Sequence, residues 1–460
     1  MEKASETERL QQKMFEIYRQ SKETKRIDTS EIMRELEPLF QAYGYRKTNM
    51  ETPQRILLLH DDGVGDFINC SPAIREVRRA YPKAYITLFV YERSRDLALT
   101  CPYVDQVLTD TRKCDWQNAL DVLHWNIELA GKLLPMHYDL SFHFTTWGSS
   151  VLLSYFSGAA RRVGYDPSGF SCPGPFPYPT VSGFVTERVP CKLRGLHSLY
   201  RYLPMIEYMT GKVTADCHPE LWMLSGEVRR WKEKLHQEAP DAEWFAVVLG
   251  ATSERRHWPV ASYAVLLQSI LEEEHGRDIR FLLIGGPENK VDGDTLAREL
   301  PVHTAWNVAG EMNYRESTAA LSCCCCYIGN DTGLMHAAAA AHLPVLTPNC
   351  YAADLPMTLS SNPSQQYPFG VPAVMVLPAH ALPECRDAHH PMGCAQRDKP
   401  HCITQVTPDL MMRGYHVLKE QIRQGRTNLL FLYEMDNPTH DGTVTAIEPL
   451  DVSRFEIEDA

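Results

Sequence analysis

Two loops carry residue types that could do chemistry. The first is Asp61-Asp62-Gly63-Val64-Gly65-Asp66-Phe67 and the second is Gly329-Asn330-Asp331-Thr332-Gly333-Leu334-Met335-His336. Each follows an apolar run of strand character and precedes a run of helical character, which is how α/β proteins present a ligand beyond the carboxyl ends of parallel strands. In the first loop Gly63 and Gly65 allow a tight turn and close backbone approach. The spacing is not a dinucleotide fingerprint, because Ile68 stands where a third glycine is needed for close helix packing. The chemistry lies in Asp66, a carboxylate that can accept a proton from a hydroxyl. Its competing role is to cap the helix that follows. In the second loop Asp331, Thr332 and Gly333 open a helix of Leu334, Met335, His336 and five alanines. A helix start offers free N–H groups and the positive end of a dipole, which suits a diphosphate. Asp331 could instead serve only as a cap.

Two more loops add to this. Gly250-Ala251-Thr252 follows an apolar run directly, and Arg255-Arg256-His257 follows at once. A small-residue turn supplies N–H groups, and a guanidinium can hold a phosphate with two prongs. Gly285-Gly286-Pro287-Glu288 ends the next run. There Glu288 can accept hydrogen bonds from a ribose, or simply sit in a surface turn. Arg161 and Arg162, with Lys192, offer positive charge to an anionic acceptor. Arg75, Arg78 and Arg79 read as a solvated helix face. Of the 14 cysteines, Cys323–Cys326 read as small apolar groups in a buried strand. Cys350, Cys385, Cys394 and Cys402 are candidate ligands for zinc or iron, but no Cys-x-x-Cys pair occurs among them, so the expectation is no metal and no cofactor.

These loops need a scaffold. Residues 1–50 predict two helices, one with Leu10, Met14, Ile17 and Tyr18 in a stripe, the other capped by Asp28 and Glu31, striped by Ile32, Leu36 and Phe40 and stopped at Gly44. They form an accessory arm on the first lobe or an oligomer contact. From Arg55 strands alternate with helices: strands over 55–59, 84–91, 106–108 and 139–144, helices over 71–81, opened by Ser71-Pro72, and 149–156. A Pro- and Gly-rich loop follows over 167–183. A charged helix over 226–238 leads to a second alternation. Its strands are 244–249, 279–284, 323–328 and 344–347, and its helices are 261–274, 315–321 and 334–341. The segment 436–460 is acidic and reads as a loosely docked tail.

The fold class is therefore α/β, with two Rossmann-like lobes facing a central cleft and a helical N-terminal extension. The divisions are 1–50 for the extension, 51–225 for the first lobe, 226–412 for the second, and 413–460 for a final helix and acidic tail. At 460 residues, 44% hydrophobic and 23% charged, the composition is ordinary for a globular protein of two domains. A net charge of −12 argues against general nucleic-acid binding. No run reaches the length needed to cross a bilayer, and the start lacks an apolar signal core. The cysteine usage fits a reducing cytoplasm.

The residues of these loops, in this order and spacing, resemble the heptosyltransferases of glycosyltransferase family 9. The stretches concerned are Ile56–Tyr81 with Pro102–Asp105, Gly158–Tyr165, Val247–Pro259, Phe281–Glu288 and Ala309–Pro344. The resemblance implies a GT-B fold, with an acceptor-binding N-lobe and a nucleotide-sugar-binding C-lobe. It implies inverting, metal-independent transfer of heptose from an ADP-sugar to a glycan or lipopolysaccharide-core acceptor. By position Asp66 becomes the general base, with Gly63, Gly65, Arg161 and Arg162 on the acceptor side. Gly250, Thr252, Arg256, Glu288, Asp331, Thr332, Gly333, Leu334 and His336 fall on the donor side. Arg256 stands where a family member can carry lysine, which keeps the charge but alters the geometry. The implied location is cytoplasmic, with peripheral association at the inner face of the membrane. Three alternatives stay open: a transferase using another nucleotide sugar or a protein acceptor, a non-catalytic protein on the same fold, and a nucleotide-sugar epimerase. The oligomeric state is left undetermined.

Overall fold

The computed structural model describes residues 5–43, 52–145, 147–165, 175–190, 197–355, 362–386, 398–435 and 444–450. Gly44 and Cys394 lie outside them, as does Lys192. By its internal contacts the chain divides into two units. The first comprises Met1–Gly63, Cys70–Arg194 and Leu199–Cys217, and the second comprises Val64–Asn69, Gly195–Ser198 and His218–Ala460.

The first unit holds a six-stranded sheet. Its strands are β1 (Arg55–His60), β2 (Tyr85–Tyr91), β3 (Gln106–Asp110), β4 (Leu140–His143), β5 (Arg161–Tyr165) and β6 (Glu187–Val189). Their order is β3-β2-β1-β4-β5-β6 and every pairing is parallel. The sequence of β1 is near-continuously apolar, as expected of a strand covered on both faces. Ile56, Leu57, Leu58 and Leu59 are all buried. The two N-terminal helices, Glu6–Thr24 and Thr29–Ala42, form as their stripes predict. Asp28 caps the second by accepting from the Ser30 and Glu31 N–H groups. Leu10, Met14, Ile17, Ile32, Leu36 and Phe40 join one apolar cluster with Leu123, Ile127 and Tyr155. The arm is thus part of the first unit's core.

The second unit holds eight strands: β7 (Glu243–Val248), β8 (Ile279–Ile284), β9 (Ala305–Asn307), β10 (Cys326–Gly329), β11 (Val345–Pro348), β12 (Ala373–Val376), β13 (Leu429–Met435) and β14 (Val444–Leu450). Their order is β14-β13-β12-β11-β10-β7-β8-β9. Only β14 runs antiparallel, alongside β13. From β12 to β9 the order repeats that of the first sheet, so both units reverse strand order between the first and fourth strands of their own sheet. Such a reversal opens a crevice at the strand ends.

Several sequence expectations need correction. The helix expected over 71–81 runs from Val64 to Ala80, with Pro72 inside it. Ser71-Pro72 imitates a helix start, whereas the chain turns at Gly63, whose extended backbone makes it the N-cap. The strand expected over 323–328 is confined to Cys326–Gly329. Cys324 and Cys326 are buried, but Cys325 is exposed in the preceding turn. The tail is not wholly loose, since β14 pairs along seven positions of β13. Among Arg75, Arg78 and Arg79 only Arg79 is a solvated side chain. Arg75 is buried against Glu76 and Asp216, and Arg78 donates to the Tyr103 and Ala84 carbonyls at 2.9 and 2.8 Å.

Candidate active site

At the switch point of the first sheet the loop after β1 meets the loop after β4. Asp61 is buried there and accepts from the hydroxyls of Thr145, Ser149 and Ser150. The two serines lie in the first turn of the helix Gly148–Phe156, and Thr145 in the loop just before it. A carboxylate at that position complements the positive helix end, so Asp61 ties two loops together. Its neighbours in sequence gave no sign of this, because the hydroxyls come from 84 to 89 residues away.

Asp66 has a different setting. It is the third residue of the helix Val64–Ala80 and makes no cap, since Gly63 holds the N-cap position. Its carboxylate accepts from Gln366 Nε2 at 3.2 Å, a partner 300 residues away, and it is part-buried. Within the same unit, Gly65 lies against His336. A Cβ placed on Gly65 would stand 2.5 Å from the imidazole Cδ2, so any side chain there would force the ring to shift. Asn69, fully buried, donates to Ser198 Oγ at 2.8 Å and lies 3.3 Å from His336 Nδ1. Burial holds the His336 pKa below its ordinary value, against the charges of Asp331 and Asp66, so the ring is neutral near pH 7.

The second sheet's switch point lies between β7 and β10. Asn330, buried at the end of β10, accepts at 3.0 Å from both the Trp258 N–H and the Tyr263 hydroxyl, and donates to the Leu249 carbonyl. It thereby fixes the loop after β7 against the loop after β10. Asp331 follows. Its carboxylate sits 3.6 Å from Arg256 Nη1, and its carbonyl accepts from the same nitrogen at 3.3 Å. Asn349 Nδ2 donates to the carboxylate at 3.3 Å. The Asp331 charge, with smaller effects of Cys350 and Asp66, holds the Arg256 guanidinium above its usual pKa, so it stays charged. Arg256 Nε is buried with no hydrogen-bond partner among the described residues. That leaves a donor available at this point.

Thr332 is the N-cap of the helix Gly333–Ala340, in extended backbone and without a side-chain cap. First-turn N–H groups of any helix lack internal acceptors. Ala337, Ala338, Ala339 and Ala340 are buried, and these small side chains let the helix lie close on its sheet. Gly333 packs under Tyr314, and a Cβ there would strike the phenol oxygen. The Tyr314 hydroxyl is itself buried without a partner among the described residues.

The structure therefore gathers Asp66, Arg256, Asp331, Thr332, Gly333, Leu334 and His336 within one unit. Gly250 lies against Asn289, whose Oδ1 accepts the Gly286 N–H at 3.1 Å, linking the loops after β7 and β8. Thr252 and Glu288 are exposed on those loops. Ala251 does not offer its N–H freely, because it donates to His257 Nε2 at 3.0 Å. Arg161 and Arg162 are committed elsewhere. Arg161 forms a two-pronged pair with Glu187. Arg162 is buried, donating to the Phe184 and Ala159 carbonyls at 2.6 and 2.7 Å, with its guanidinium 5.2 Å from the Tyr155 ring centroid. Their positions on β5 serve the first unit's core. A small cavity beside Arg255, Arg256 and Asp331 is lined further by Asn349, Cys350, Tyr351, Cys385, His401 and Cys402. His401 was not singled out in the sequence.

Two sheets that share a six-strand parallel order, the second with a helix start and a cation–carboxylate pair at its switch point, define an α/β protein of two Rossmann-like units. Comparison with known proteins narrows this. The sequence model of glycosyltransferase family 9 (heptosyltransferase) matches residues 127–354. Lipooligosaccharide heptosyltransferase 2 of Haemophilus ducreyi is 22% identical over 306 residues, 63% of this chain and 81% of that protein. Lipopolysaccharide heptosyltransferase 2 of Escherichia coli is 23% identical over 64% of this chain and 81% of its own length. Among solved structures, E. coli ADP-heptose LPS heptosyltransferase II superposes with a TM-score of 0.59 at 19% identity, covering 80% of this chain and 99% of that one. A family 9 glycosyltransferase from Veillonella parvula gives 0.62 at 14% identity, over 82% and 99%. The fold is that of these heptosyltransferases. The chain is a glycosyltransferase, similar to the heptosyltransferases of family 9.

Proposed function

We propose that the protein transfers a heptose, or a closely related sugar, from an ADP-sugar to a glycan or lipopolysaccharide-core-like acceptor, with inversion and without a metal in the chemical step. One observation carries this reading. The Arg256–Asp331 pair stands at the start of the helix Gly333–Ala340, and the charge of Asp66 is felt by both Arg256 and His336. The names of the similar heptosyltransferases, one of them an ADP-heptose enzyme, support it.

In this mechanism the diphosphate lies on the first turn of that helix, with Arg256 beside it. As the bond from the anomeric carbon to the ADP oxygen lengthens, negative charge grows on the diphosphate and the sugar gains oxocarbenium character. Arg256 and the helix N–H groups stabilise that charge. Asp66 takes the proton of the acceptor hydroxyl as its oxygen attacks the opposite face of the ring. Asp331 holds Arg256 in place beside the sugar. Neutral His336 contributes a hydrogen bond rather than a charge. Gly250, Thr252 and Glu288 border the nucleoside, with Glu288 accepting from the ribose. The reaction belongs in the cytoplasm, with the enzyme peripheral to the membrane that carries its acceptor.

Titration calorimetry with ADP, UDP and GDP tests the donor class. ADP is expected to bind at least tenfold more tightly than the other two, with ADP-heptose consumed in a transfer assay. Preference for UDP or GDP would reassign the donor and sink the ADP-heptose reading.

A further inference from the structure

Arg255 is a buried cation that no described residue neutralises. It stands in the 3-10 turn Glu254–Arg256 after β7 and is only 6% exposed. A guanidinium is not deprotonated in proteins. Its Nε has no hydrogen-bond partner among the described residues. The carboxylates at hand face other groups: Glu254 lies 3.3 Å from His257 Nδ1, and Asp331 lies 3.6 Å from Arg256 Nη1. Other polar groups lining the same cavity are engaged with one another. His401 Nδ1 is 3.1 Å from Cys402 Sγ and 3.7 Å from Cys385 Sγ, and Asn349 Nδ2 donates to Asp331 at 3.3 Å. Burying a lone charge is costly, so an arginine in this state calls for an anion from outside the chain.

Strand order says where that anion lies. The cavity lined by Arg255 is also lined by Arg256 and Asp331 and by Asn349, Cys350 and Tyr351, the residues that follow β11. Across the sheet the order runs β8, β7, β10, β11. In the transfer proposed above, the nucleoside borders the loops after β7 and β8, and the diphosphate lies on the helix start after β10. The next place in that direction, toward β11, falls to the terminal phosphate and the sugar. Arg255 thus stands on the sugar side of the diphosphate. Trp258 holds its turn there, donating from its N–H to Asn330 Oδ1 and from its indole Nε1 to the Val406 carbonyl at 2.8 Å. Charge balance points the same way. Arg256 is already opposed by Asp331, whereas a terminal phosphate set free carries about 1.5–2 negative charges at pH 7.

We propose that Arg255 binds the terminal, sugar-linked phosphate of the donor as the second cation of the site, an inference that rests on the transfer reaction proposed above. When the bond from the anomeric carbon to the phosphate oxygen breaks, its electron pair stays on that oxygen, where the guanidinium meets it. The acceptor oxygen forms the new bond to the same carbon, and its proton passes to Asp66. Arg255 also sorts ligands. A nucleoside monophosphate lacks the terminal group and leaves the buried guanidinium unpaired, which a site of this kind penalises.

Calorimetry on the full wild-type chain first compares ADP, UDP and GDP. If none binds, the donor reading falls and the role of Arg255 with it. If one binds, that nucleotide and its monophosphate are carried forward, and the result for the variant bears on Arg255 alone. With ADP, Arg255→Met should weaken binding roughly tenfold or more, while the affinity for AMP changes less than threefold. The variant should fold, because it removes a buried lone charge. A smaller loss for ADP, or an equal loss for AMP, would overturn the proposal. Should the variant fail to fold, a crystal structure of the wild-type protein with ADP decides. An Arg255 nitrogen within hydrogen-bond distance of a β-phosphate oxygen upholds the assignment, and a guanidinium turned away from the phosphates overturns it.

Discussion

At the scale of single residues the two carboxylates Asp66 and Asp331 do different work because their partners differ. Asp331 is fixed by Arg256 and Asn349, whereas Asp66 faces a neutral amide from Gln366. A base must be free to accept a proton, so Asp66 fits that task and Asp331 does not. Asp66→Asn keeps the shape and the first-turn position but removes the lone-pair basicity. Transfer should fall by roughly 10²- to 10⁴-fold, with ADP affinity changed less than threefold. Retention of more than a tenth of wild-type turnover would remove Asp66 from the base role. The position of both carboxylates at strand-to-helix junctions was legible in the sequence. Asp66 stands out by following Gly63-Val64-Gly65, and Asp331 by standing between a strand end and a helix start. Asp61 does not, since what makes it structural is a set of hydroxyls far along the chain. His401 was missed for the same reason: a histidine beside a cysteine in a loop says nothing until Cys385 is placed next to it.

At the scale of elements, the helix Gly333–Ala340 depends on how closely it can approach its neighbours. Gly333→Ala puts a methyl group against the Tyr314 phenol, and overpacking of this kind typically costs about 1–3 kcal/mol. The helix start should move, and ADP affinity should drop at least fivefold by calorimetry. Adding Tyr314→Phe removes the oxygen nearest the new methyl and should recover part of that loss. No recovery in the double variant would mean that the contact is not what requires glycine. The sequence marked Gly333 as part of a helix start, but the reason it is glycine, a tyrosine 19 positions earlier, is a packing fact. The first-loop helix shows the reverse error. Local chemistry at Ser71-Pro72 spells a helix start, yet tertiary placement of Gly63 begins the helix a full two turns sooner.

At the scale of the whole molecule, buried titratable groups set the response to acid. Burial pushes the His143 pKa down to about 3, and burial also lowers that of His336. An unfolded histidine titrates near pH 6.5. Below that pH the unfolded chain takes up protons that the folded protein refuses, so stability falls as pH drops from about 6.5 toward 3. Glu274 acts in the same direction lower down. Burial opposes its ionisation, but Lys419, Arg277 and Tyr415 outweigh it and bring the carboxyl to about 2. Its contribution is present above the ordinary carboxylate range and fades as pH falls toward that value. The unfolding temperature should therefore decline steadily between pH 7 and pH 3 in scanning fluorimetry. His143→Gln should flatten the part of the slope between pH 6 and pH 4. An unchanged slope in that variant would show that His143 is not the titrating group.

The pairing of β14 along β13 has a further consequence for the molecule in company with others of its kind. Without it, β13 would end the sheet with a row of unsatisfied N–H and C=O groups and a run of apolar side chains, Leu429 to Leu432. Bare edges of that sort are templates onto which another chain can add a strand. One short antiparallel strand, set against an otherwise parallel sheet, makes the sheet's own sequence the first to occupy that edge. β14 then takes over as the terminal strand, and with Pro449 in it that strand is a poorer template than β13 would be.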